Sequence, residues 1–209
     1  SLLDRLAHQR RQIETRLDAL SQREAFRWHL EVITGPVVAS IQEAASQAEW
    51  IVLGKVGWSG ARGGQLGSTA RKLVENGRHR LLLWGTTVVP PQADVVVLVG
   101  TGGRHQPGVE VGRHLAEATG RRCHLLLLPG SDAVTIERKP GQPEPLVDRL
   151  TSPPLDALRR MMRHHPAAAV VIDEPAAEAL GLAMTDLIAL VDAPVIRVPA
   201  LPESRAPDA

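Results

Sequence analysis

The chain has 209 residues, enough for one large domain or two small ones around a real core. Apolar residues make up 44% of it but aromatics only 2%, so the core is built from Val, Leu, Ile and Ala, as suits parallel strands covered by helices. A formal net charge of +1, with Arg interleaved among Asp and Glu, offers no long-range field for nucleic acid or anionic membrane. Cys123 is the only cysteine, which excludes an intrachain disulfide and a cysteine-based metal site and fits a reducing, cytoplasmic setting. No apolar run reaches the length of a membrane span. The N-terminus is charged and amphipathic, unlike a signal peptide, and a start at Ser1 inside a helical pattern suggests a fragment or processed product.

In chain order, Leu6, Ile13, Leu17 and Leu20 fall on one face at helical spacing, predicting a long amphipathic helix over 2–24. Trp28, Leu30 and Val32 alternate with His29 and Glu31, which predicts a strand. Gly35-Pro36 opens a second helix with Val37, Ile41, Ala44 and Ala48 as its buried face. The continuous apolar run 50–54 predicts a strand buried on both faces. A glycine-rich loop follows, then a helix over 68–76 with Gly77 as C-cap, and another buried strand over 81–84.

Residues 88–92, with Pro90-Pro91, read as a linker, after which the pattern restarts. Strands are expected over 94–100 and 123–128, with a helix over 107–119 closed by Gly120 between them. The stretch 129–154 is rich in Pro, Gly and charge, with at most a short strand near 134–137. A helix over 155–165, a strand over 168–172, one helix over 176–190 and a last strand over 194–198 complete the pattern, and the tail beyond is expected to be disordered.

Strands separated by helices argue for right-handed βαβ units in an α/β, doubly wound parallel sheet. Residues 50–84 and 168–198 share the order strand, connection, helix, strand, so the chain reads as two tandem repeats. The first covers 1–87 and lacks an opening strand-helix-strand; the second covers 88–200; a tail spans 201–209.

The repeats differ most between strand and helix. Asp173-Glu174-Pro175 makes that connection in the second copy, whereas the first spends the whole of Gly54 to Ser68 on it. A loop longer than topology requires points to function. Gly54 and Gly57 allow positive φ and close backbone approach, Ser68 stands where it would cap the next helix, and Gly67 leaves that N-terminus open to an oxyanion. The loop lies at the carboxyl end of a strand, where doubly wound sheets bind ligands. Lys55, Arg62 and Arg71 are candidates to add positive charge. The bland alternative is a surface loop whose serine only caps.

Gly54-x2-Gly57-x9-Gly67-Ser68 matches the G-x2-G-x9-G-[ST] signature of the ATP-binding universal stress proteins, and the chain resembles that family. The resemblance implies a Rossmann-like fold and ATP, with or without magnesium, at the carboxyl edge of the sheet. It also implies self-association of such domains through their last strands. Carried onto this sequence, Gly54, Gly57, Gly67 and Ser68 contact phosphates and ribose, with Thr69 beside them. The family's Asp at the end of the opening strand has no counterpart in the first copy, and the second copy ends that strand Val99-Gly100-Thr101-Gly102-Gly103 and lacks the glycine motif. The second copy is therefore expected not to bind nucleotide.

The remaining candidates are weaker. Gly100–Gly103 with His105 reads as a tight turn before an anion nest, His164-His165 as a helix end before a metal site, and Asp173-Glu174 as solvated at a helix N-terminus before a partner for a cation. Cys123 reads as core. The loop lacks a Walker Gly-Lys-[Ser/Thr] ending, and no nucleophile elbow occurs. The expected function is thus adenine-nucleotide binding with regulation and no dedicated catalysis, at most slow ATP hydrolysis. The alternative is a structural module that works by domain pairing.

Overall fold

The structure, a computed structural model, describes residues 2–56, 66–85, 87–101, 106–131, 143–151 and 153–199. Contacts divide the chain into two units, residues 1–40 and 41–209.

In the first unit, α1 (Leu2–Glu24) forms as its spacing predicts, braced by an Arg10–Glu14 pair one turn apart. Ala25, with φ 54°, ends it in the left-handed region. The strand expected around Trp28 to Val32 does not form: these residues have no regular structure, and Val32 is 69% exposed. Alternation offers a strand one apolar face, but a strand exists only where a neighbour takes its N–H and C=O groups. Helix α2 (Val37–Ala44), whose residues fall in both units, starts after Gly35-Pro36, yet none of its residues is buried, so its predicted apolar face is not a core face.

The second unit is built on a seven-stranded sheet. Its strands are β1 (Trp50–Gly54), β2 (Arg80–Trp84), β3 (Asp94–Val99), β4 (Cys123–Leu127), β5 (Leu146–Arg149), β6 (Ala167–Ile172) and β7 (Val195–Arg197). The order is β1-β2-β7-β6-β3-β4-β5, parallel throughout except where β2 meets β7 antiparallel. The helices are α3 (Ser68–Asn76), α4 (Gln106–Ala118), α5 (Pro154–His164), α6 (Glu174–Leu180) and α7 (Met184–Leu190).

β3, β4, β6 and β7 are buried almost throughout and carry the Val-, Leu- and Ile-rich core. On one face Val95, Val97, Leu125, Val171 and Ile196 pack beneath α4. That helix lies so close that a Cβ on Gly112 would come within 2.2 Å of Val97 Cγ2. Cys123 belongs to this core, and burial pushes its thiol up to about 11, far from a reactive thiolate.

Three expectations are corrected. β1 is an edge strand with Val52 64% exposed, not one buried on both faces. The single helix over 176–190 is two: Gly181 at φ 65° closes α6, and its N–H bonds Glu178 O while Leu182 N–H bonds Ala177 O, so α7 starts afresh at Met184. The Pro- and charge-rich stretch carries β5, paired to β4 and exposed along its length. The strand expected over 134–137 and the tail over 201–209 lie outside the described residues.

Candidate functional site

β1 delivers its carboxyl end at Gly54, and the next residue closes the stem of the glycine loop. Lys55 N–H donates to Trp84 O at 2.8 Å, and Lys55 O accepts Gly67 N–H at 2.8 Å. The two ends of the loop are therefore joined at one residue and held against β2. Gly54 is in strand conformation, not at the positive φ expected of it; a Cβ there would press Val56 O at 3.3 Å. Gly57 and Arg62 lie outside the described residues.

Gly67 is the N-cap of α3, and its carbonyl takes the first helical bond, from Arg71 N–H at 2.9 Å. Ser68 is the first helical residue and caps nothing, which corrects its expected role: among the described residues no side chain caps this helix. The first-turn amides of Ser68, Thr69 and Ala70 precede the first helical hydrogen bond and face the loop end of the sheet. A helix start without a capping side chain is an oxyanion site in its chemistry. Gly54, Gly67, Ser68 and Thr69 are thus brought to one edge, with Ser68 exposed and Thr69 half-buried.

Lys55 does not add its charge to that edge. Its side chain turns into the protein, 9% exposed, and Nζ donates to Ile188 O at 3.3 Å and to Val191 O. Burial pulls its pKa down to about 8, against the opposing field of Asp192.

The sequence reading missed two buried ionic groups at the opposite end of the sheet, where the carboxyl ends of β6 and β7 lie beside the amino end of β2. Asp173, expected to be solvated, is 3% exposed at the end of β6. Its Oδ1 accepts Ala176 N–H at 3.0 Å as the N-cap of α6. Among the described residues its Oδ2 has no hydrogen-bond partner, and it faces the first turn of α4, where a Cβ on Gly108 would stand 3.0 Å away. Burial pushes this carboxyl up to about 6, with Glu174 and Glu178 adding to the rise and the amide bonds opposing it. An Asp immediately before Glu-Pro is an N-cap signal that could have been read. Its burial could not, because α4 comes from elsewhere in the chain.

Arg197, on β7, is also 3% exposed; Nη2 donates to Glu174 Oε1 at 2.9 Å and Nη1 to His79 O at 3.4 Å. At the other candidate loop, Gly100 packs so tightly on α6 that a Cβ would fall 2.2 Å from Pro175 C and O, and residues 102–105 lie outside the described residues. Among the described residues no cluster of His, Cys, Asp and Glu could hold a metal, His164-His165 included. A polar cleft of about 570 Å³, lined by Gln42, Ser46, Asn76, Arg78 and His79, lies at the far end of α3 from Gly67. No described helix is long and apolar enough to cross a membrane.

No family model matches the sequence, and no curated protein matches it. Solved structures do. A universal stress protein from Archaeoglobus fulgidus DSM 4304 is similar over 93% of this chain and 78% of its own, at 16% identity and a TM-score of 0.56. A functionally unknown protein from Pseudomonas aeruginosa PAO1 is similar over 90% and 78%, at 12% identity and 0.56. A structure from strain UCBPP-PA14 of the same species, provisionally assigned as a universal stress protein, is similar over 88% and 77%, at 13% identity and 0.54. At this identity the likeness establishes the fold, which is the Rossmann-like α/β fold of universal stress protein structures.

Proposed function

We propose that the chain is a universal-stress-type regulatory protein that binds an adenine nucleotide at Gly54, Gly57, Gly67, Ser68 and Thr69 and has no dedicated catalysis. The observation that carries this reading is the α3 N-terminus: among the described residues no side chain caps it, it is set at the carboxyl end of β1, and it is framed by a G-x2-G-x9-G-Ser run. The first-turn amides suit the phosphates of ATP, with or without magnesium. The base and ribose would lie towards the outer edge of β1, where the described residues place no further strand.

The topology also supports reading the chain as two repeats. β1-α3-β2 and β6-α6-α7-β7 are both parallel strand pairs joined through helix, and they face each other across the antiparallel β2/β7 contact. In this reading the second repeat is a non-binding partner, and occupancy of the first biases association in a cytoplasmic setting.

Thermal shifts with AMP, ADP and ATP, with and without magnesium, test the nucleotide reading. Ligand at about 100 times its Kd should stabilise by roughly 2.7 kcal/mol, about 5–10 °C for a chain of this size. The Gly57→Val protein should keep its own melting temperature and lose the shift; an equal shift in that variant sinks the proposed site. A second reading, a non-nucleotide pairing module, is favoured by β1, whose Trp-Ile-Val-Leu-Gly run forms a sheet edge without charge or proline. Concentration-dependent sedimentation with no nucleotide shift would select it.

A further inference from the structure

One side chain ties the glycine-loop edge to a distant part of the fold. Both backbone polar groups of Lys55 close the loop stem, on Trp84 and Gly67. Its side chain runs the other way, 133 and 136 residues along the chain, to the carbonyls of Ile188 and Val191. Those are the C-terminal carbonyls of α7, the negative end of that helix, where an ammonium is favoured. Asp192 adds its field at the same place and accepts a hydrogen bond from Thr87 Oγ1 at 3.4 Å. α3, which begins at the stem, packs directly on α7. The residue that fixes where α3 starts is therefore also the residue that closes α7. A methionine would fill a similar volume without burying a charge, so the lysine is more than filling.

We propose that Lys55 is the positioning residue of the glycine loop: its ammonium, seated on the end of α7, fixes the stem that aims the α3 N-terminus and couples ligand occupancy there to the α7–β7 segment. The ligand rests on the nucleotide reading above; the coupling rests on the geometry alone. Lys55 acts through Gly67 and does not touch the ligand.

The test is calorimetric affinity for AMP, ADP and ATP in the wild type, Lys55→Met and Lys55→Gln, with amide exchange followed at Gly67 and Val191. Lys55→Met should weaken all three nucleotides by one common factor, on the order of tenfold, and speed exchange at both amides. Lys55→Gln, which keeps a donor for the carbonyls, should fall between it and the wild type, and it decides the matter if the methionine variant does not fold. A loss that grows from AMP to ATP would overturn the proposal, because the ammonium would then be serving phosphates. If the wild type binds none of the three, the nucleotide reading fails by itself, and exchange still decides the coupling. Acceleration at Gly67 and Val191 together supports it; acceleration at Val191 alone overturns it.

Discussion

Asp173 shows how one buried carboxylate sets a pH dependence for the whole fold. It caps α6 through Oδ1 and holds Oδ2 against α4 with no hydrogen-bond partner among the described residues. In the unfolded chain it titrates near its ordinary 3.8; in the fold it titrates near 6. Between those values the folded state keeps a proton that the unfolded state has released, so stability falls as pH rises from about 4 to 6 and levels off near 7. The full effect is on the order of 3 kcal/mol, opposite in sign to the usual acid denaturation. Asparagine keeps the capping oxygen and cannot ionise. The stability of Asp173→Asn relative to the wild type should therefore climb through that window, as read by urea unfolding at pH 4.5, 5.5, 6.5 and 7.5. A difference that stays constant across those four values would show that Asp173 does not titrate there.

At the scale of elements, close approach of backbones governs where substitutions hurt. Gly100 sits against the Pro175 carbonyl, and a Cβ there meets backbone at 2.2 Å, which cannot move aside as a side-chain tip could. Gly120 also matters conformationally, at φ 63°, but a Cβ on it would meet nothing within 4 Å. Gly100→Ala should cost about 3 kcal/mol, because α6 must shift off β3. Gly120→Ala should cost only about 1 kcal/mol of left-handed strain. Chemical denaturation of the two variants checks the ranking, and equal losses would contradict the close α6–β3 packing.

The same elements show what a sequence can disclose. β3, β4 and β6 were legible because strands covered on both faces are continuous apolar runs, and α3 and α4 because a left-handed glycine closes each repeat of their pattern. The break at Gly181 was written in the same code, but the apolar residues on either side masked it. β5 was hidden because an exposed edge strand needs no apolar pattern, and Trp28 to Val32 misled because alternation cannot supply a neighbour. Of the site, the spacing of Gly54, Gly67 and Ser68 was legible, and the structure sets all three at one edge. The inward turn of Lys55 and the burial of Asp173 were not, since each depends on an element far along the chain.

At the scale of the second unit, the β1-α3-β2 segment is joined to the rest across a narrow seam. Only three residue pairs register between β2 and β7, from Leu81–Arg197 to Leu83–Val195. Packing of α3 on α7, of Trp50 and Leu82 on the central core, the Lys55 contacts and Arg197 add to it. Arg197 reaches both sides at once, Glu174 at the head of α6 and the His79 carbonyl in the turn before β2. Its worth is moderate: Nε has no partner, and Glu174 is 38% exposed and can rehydrate when the pair is lost. Arg197→Met should therefore cost about 1–2 kcal/mol, well below the loss of a fully buried pair, and lower Tm by roughly 3–6 °C. The damage should also be local. Amides of β1, α3 and β2 should lose protection from hydrogen exchange while those of β3, β4 and β6 keep theirs, because only the first group depends on the seam to stay docked. Protection lost evenly across all seven strands would mean that the sheet opens as one body and that Arg197 serves it only as ballast.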